Sequence, residues 1–95
     1  MVIGQYRTTM GKLQAMSRRK QPNPDAEALG AIVRRLRTKK GLTQEGLAEL
    51  ADLNVSYIGF LERGENVPTL TIVLNLARAL DVHAADLVRE VARKR

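Results

Sequence analysis

The stretch from Leu36 to Leu70 reads LRTKKGLTQEGLAELADLNVSYIGFLERGENVPTL and decides the fold. Thr43 is a helix N-cap, and Leu47, Ala48 and Ala51 follow on one side of the helix it starts. Gly46 stands where a capping box would carry Glu or Gln, so that start is weaker than it could be. Asp52-Leu53-Asn54 breaks the pattern. Asn54 caps a further helix, Ile58 and Leu61 form its buried side, and Gly64 ends it. Two helices of about eight and ten residues, joined by three or four, have the proportions of a helix-turn-helix. In that unit the turn holds the second helix proud of the body, so that its N-terminal half can enter a major groove about 12 Å wide. The first helix points its unpaired first-turn N–H groups at a phosphate.

Working outward, Asn23-Pro24 supplies a cap followed by proline at the first helical position. Leu29, Ile32, Val33 and Leu36 then recur at i, i+3, i+4 and i+7, the spacing of a buried helix face. Lys39 and Lys40 favour the negative end of that helix, and Gly41 is its C′ residue. Beyond the central pair, Pro68-Thr69 starts a fourth helix with Leu70, Val73, Leu76, Ala77 and Leu80 inward. Asp81-Val82 is a short joint. A fifth helix runs from about Ala84 with Leu87, Val88 and Val91, and ends in Arg93, Lys94 and Arg95. His83 stands at its start, with no chemistry expected of it. No strand pattern and no repeat is present. The expectation is an all-α domain of five helices.

Composition excludes much else. The chain has 95 residues, which fits one domain. It has no Cys, so disulfides, thiolate metal sites and cysteine nucleophiles are ruled out together. A lone His cannot build a metal site, and no metal or cofactor is expected. No paired carboxylates, nucleophile–base pair or phosphate loop appears, so no enzyme is expected. No apolar run approaches the roughly 20 residues that cross a membrane, and residues 1–16 lack the pattern of a secretory signal. These features predict a soluble, cytoplasmic protein. Hydrophobic residues make up 44% and aromatics only three positions, so the core must be aliphatic, which favours helices.

The net charge of +6 is unevenly placed. Residues 1–24 hold Arg7, Lys12, Arg18, Arg19 and Lys20 and no acid. Residues 25–95 hold eleven bases and ten acids, so the body is nearly neutral. Two parts follow: a basic extension over 1–24 and a folded body over 25–95. The extension reads either as a nucleic-acid arm or as a solvated tail. Within it, Ile3, Tyr6, Met10 and Leu13 share one helical face, and the Pro-containing run 17–24 is a linker. That stripe is expected to dock on the core or on a partner chain.

With these elements in place, the chain resembles the phage-repressor and Cro-type (XRE-type) helix-turn-helix family. Three blocks carry the likeness: Gly41-Leu42-Thr43-Gln44 with Leu47-Ala48, Ile58 with Glu62-Arg63-Gly64, and Ala77-Arg78-Ala79-Leu80. The likeness spans about residues 28–88. The segment SYIGFLERGENVPTL also resembles small controller proteins of restriction–modification systems. The implied fold is a five-helix lambda-repressor-like helix-turn-helix domain, here with a basic N-terminal extension.

The resemblance implies roles residue by residue. Thr43 and Gln44 open the first helix of the motif, with Gln44 donating to a phosphate and reaching towards a base edge. Asn54, Val55, Ser56 and Tyr57 open the recognition helix, which spans Asn54–Arg63 and enters the major groove. Phe60 lies one turn further on, either against thymine methyls or against the extension. Arg63 and Asn66 match phosphate-contacting positions. Arg37 and Glu62 match a buried ion pair joining the first and third helices. The sequence departs from the family twice. Asp52 stands where the tight turn usually has Gly, a substitution that left-handed geometry tolerates. Val55 and Ser56 replace the usual Arg or Gln, so direct base readout should be sparse. Phosphate contacts, groove shape or the arm must then supply more of the affinity.

Apolar residues Ile72, Leu74, Leu87 and Val88 exceed the needs of one small core and predict a twofold dimer interface. The resulting reading is a homodimeric, sequence-specific regulator of transcription bound to double-stranded DNA. It leaves open a controller protein, a phage-type repressor or an antitoxin. The competing reading is a module that binds an unknown protein partner, for example a toxin, on a helix-turn-helix scaffold.

Overall fold

A proline at the first helical position and an asparagine before it start the first helix of the computed structural model, which describes residues 23–95. Residues 1–22, with the Ile3–Leu13 stripe and all five bases of the extension, lie outside the described residues. Five helices follow in order: α1 (Pro24–Lys39), α2 (Gln44–Ala51), α3 (Val55–Glu62), α4 (Leu70–Leu80) and α5 (Ala84–Arg93).

Side-chain caps start four of them. Asn23 Oδ1 accepts from the Ala26 N–H at 3.0 Å, Thr43 Oγ1 from Gly46 at 2.9 Å, Asn54 Oδ1 from Ser56 at 2.7 Å and Thr69 Oγ1 from Ile72 at 3.2 Å. Each satisfies one of the orphan donors of a first turn. Only α5 starts without such a bond, behind His83.

The first four helices also stop in one way. A left-handed residue follows each: Gly41, Asp52, Gly64 and Asp81. The next N–H then folds back onto the helix: Leu42 on the Arg37 carbonyl, Leu53 on Ala48, Glu65 on Phe60 and Val82 on Ala77, at 2.8–3.0 Å. Asp52 thus takes the left-handed role expected of it at φ 58°, and Asp81 repeats it at φ 60°.

Ile32, Val33, Leu47, Ile58, Leu61, Leu76, Leu80 and Leu87 form an aliphatic centre. α1 lies across α3 and α5, and α2 packs on α3 and α4. The α1–α3 crossing is unusually close at Gly30. A Cβ there would sit 2.3 Å from the Leu61 carbonyl oxygen and 2.8 Å from that of Glu62. Only a residue without a side chain lets the two backbones approach so far.

Three expectations change. Leu87 does not belong to a subunit interface: at 1% exposure its side chain is consumed by the core, where α5 meets the other helices. Leu70, expected inward, is 72% exposed, whereas Leu74 and Val88, expected at the surface, are exposed by 50% and 57%. Leu70 is the first residue of α4 and lies beyond the end of the core. α3 has eight residues rather than about ten, because Arg63 already leaves the helix as its cap. Among the described residues no helix is long and apolar enough to cross a membrane.

Candidate nucleic-acid interface

Two short helices and a three-residue turn, 52–54, set the geometry. Asp52 in the left-handed region and the Asn54 cap define the corner, so α3 leaves α2 at a fixed angle. Ile58 and Leu61 anchor α3 into the core. At 100° per residue, Ser56, Phe60 and Arg63 fall in one row on the opposite side. All three are exposed.

The inner side of α3 ends in a polar lock. Arg37 donates through Nε to Glu62 Oε2 at 2.6 Å and through Nη2 to Glu62 Oε1 at 3.1 Å. Its Nη1 also donates to the Leu42 carbonyl at 2.8 Å. The side chains are only 12% and 4% exposed, so the ion pair expected from the resemblance is a deep, bidentate one. The hydrogen bond to Glu62 holds the Arg37 guanidinium above its usual pKa. One fork thereby ties α1 to α3 and to the start of α2.

Gln44 joins this lock. Its Nε2 donates to Glu62 Oε1 at 3.0 Å, and the residue is half-buried. That bond uses one of its two amide hydrogens. Thr43 is the α2 cap, with its hydroxyl oxygen accepting from Gly46. Asn54 spends its carbonyl oxygen on the α3 cap and keeps its NH₂ group. Val55 is 40% exposed at the helix start.

Tyr57 and Asn66 are joined to each other. The Tyr57 hydroxyl donates to Asn66 Oδ1 at 2.7 Å, fastening the α3–α4 loop to α3. Tyr57 is half-buried, and burial raises its phenol pKa. Its hydroxyl proton therefore goes to Asn66, although its oxygen can still accept.

Phe60 and Arg63 are also a unit. The Arg63 guanidinium lies 5.2 Å from the centroid of the Phe60 ring, within cation–π range. Arg63 Nε donates to Glu65 Oε2 at 3.1 Å. Both partners are solvent-accessible, so this pair is weak and releasable. Glu65 was not a sequence candidate; the only sign of it was an acid two residues beyond Arg63. On α1, Arg34, Lys39 and Lys40 are exposed, whereas Arg35 pairs with Glu90 of α5 at 2.9 Å.

A neutral five-helix body that presents a capped, rigidly seated helix in a helix-turn-helix defines a helix-turn-helix domain. The helix-turn-helix family (HTH_3) matches residues 33–87, more than half of the chain, and the chain belongs to it. Its relatives carry the name of transcriptional regulators. The uncharacterized HTH-type transcriptional regulator YazB of Bacillus subtilis (strain 168) is 38% identical over 63 residues, which is 66% of this chain and 91% of YazB. Control protein C.SmaI of Serratia marcescens is 40% identical over 62 residues, covering 65% of this chain and 74% of that protein. Among solved structures, the restriction–modification controller protein C.AhdI of Aeromonas hydrophila superposes with a TM-score of 0.66 at 45% identity. That match covers 68% of this chain and 98% of C.AhdI.

Proposed function

We propose that the chain is a cytoplasmic, sequence-specific DNA-binding regulator that sets α3 into the major groove as a homodimer. The observation that carries this reading is the row Ser56, Phe60 and Arg63: it is exposed, while the other side of the same helix is locked into the core. Arg63 exchanges Glu65 for a phosphate, and Phe60 and Val55 offer apolar contact to thymine methyls. Ser56 and the Asn54 NH₂ group supply the few polar base contacts. The free amide hydrogen of Gln44, the first turn of α2 and Asn66 bind the phosphates on either side. Readout by bases is sparse in such a set, so groove shape and phosphates carry much of the affinity.

Leu74 and Val88, with the outer part of Ile72, form the dimer face, and Leu70 takes the place that Leu87 cannot fill. A twofold axis there presents two copies of α3 to half-sites about 10 base pairs apart. Selection of bound duplexes from a random DNA pool tests the reading. The expected winner is a palindrome with that half-site spacing, and its log affinity falls with log salt by about 0.9 for each phosphate contacted. A pool with no enriched sequence, or affinity that ignores salt, contradicts it.

A further inference from the structure

Away from the α3 surface, an apolar groove opens where the start of α1, the α3–α4 loop, α4 and α5 converge. Ala26 and Leu29 form one wall, Val67 the rim, and Val73, Val88 and Val91 the other wall. Its volume of about 170 Å³ is close to that of an apolar cavity that takes a benzene ring, so one large side chain fills it. Val67 is 65% and Val88 57% exposed, so the groove continues into an apolar surface that nothing in this domain covers among the described residues. Asp25 is on the groove's edge, two residues after Asn23, where the described chain begins.

We propose that the groove is the seat of this chain's own N-terminal segment, through the stripe Ile3, Tyr6, Met10 and Leu13. Three observations converge on that occupant. The segment of 22 residues before Asn23 enters the domain beside the groove. It carries large apolar side chains at helical spacing, those of the stripe Ile3, Tyr6, Met10 and Leu13. The reach is ample: eleven residues lie between Leu13 and Asp25, and an extended chain spans at most about 3.3–3.6 Å per residue. Tethering also supplies an effective concentration near the millimolar range, so a shallow apolar contact suffices. The five basic residues of the arm then stay in solvent while its apolar side is covered. The inference does not need DNA binding, but its seat shares Val88 with the dimer face, so arm and partner meet at that residue.

The chain has no cysteine, so Thr8→Cys, outside the stripe positions, gives a single site for a spin label in the 95-residue chain. Methyl spectra of the labelled chain should show selective loss of intensity at Val67, Val73, Val88 and Val91. Adding Tyr6→Ser and Met10→Ser should restore the signals, with unchanged helical circular dichroism showing that the fold persists. Full methyl intensity with the Thr8→Cys label overturns the proposal. So does comparable loss when spin-labelled chains are mixed with isotope-labelled ones that carry no spin label, because the arm then lies on a second copy.

Discussion

The two sides of α3 are held on opposite terms. Inward, Ile58 and Leu61 are sealed from solvent, the Gly30 backbone presses on the last turn, and Glu62 is gripped by Arg37 and Gln44. Outward, Ser56, Phe60 and Arg63 meet water, and Arg63 rests against a neighbouring ring and an exposed carboxylate. A helix of eight residues is too short to be stable alone, so its position is decided entirely by the inner side. The outer side is thereby free to differ without endangering the fold. This division is what a recognition surface requires: fixed placement and replaceable contacts.

Substitutions on the two sides should separate cleanly. Arg37→Ala should have the largest effect, about 3–5 kcal/mol of stability in denaturant unfolding, because it leaves the buried Glu62 carboxylate with Gln44 alone. A loss below about 0.5 kcal/mol, the range of ordinary surface changes, would show that the inner lock is not one. Gly30→Ala comes next. Its methyl group meets backbone rather than flexible side chains, so α1 and α3 must part at a cost of about 1–3 kcal/mol or more. That outweighs the gain in helix propensity of up to about 1 kcal/mol.

Tyr57→Phe lies on the seam between the sides and should lose about 1 kcal/mol with the Asn66 hydrogen bond. It should also change the alkaline limb. Burial raises the folded-state phenol pKa above its ordinary 10.0, so the neutral tyrosine stabilises the fold fully below that value. This contribution is lost as pH rises through the folded-state value, and the wild-type advantage over Tyr57→Phe should shrink there. Phe60→Ala should do least to the fold, since the ring is 46% exposed and its cation–π contact contributes about 0.5–1 kcal/mol at such a site. A melting-temperature loss as large as that of Gly30→Ala would break the comparison.

Much of the frame was legible because its signals are local. Asn23, Thr43 and Asn54 cap the helices they were expected to cap, and Gly41, Asp52 and Gly64 end them in the left-handed region. Caps and turns depend on a few successive residues, which a sequence displays directly. Depth does not. The apolar pattern set Leu70 inward and Leu87 beside Val88 on the dimer face, yet Leu87 is sealed and Leu70 is open. Which turn of a helix reaches the core depends on neighbours far away in sequence. The crossing at Gly30 was invisible for the same reason, since Leu61 and Glu62 lie on another helix. The site residues were legible as a set through the family resemblance. Their mutual bonds, Gln44 with Glu62 and Tyr57 with Asn66, arise from the fold.

The division of α3 into a locking side and a reading side is tested most directly by Arg63→Ala, measured for melting temperature and for salt-dependent binding to a selected duplex. The account predicts an unchanged melting temperature, weaker binding to every duplex, and a slope of log affinity against log salt that is shallower by about 0.9. A fall in melting temperature comparable to that of Arg37→Ala, or binding with an unaltered slope, would contradict it.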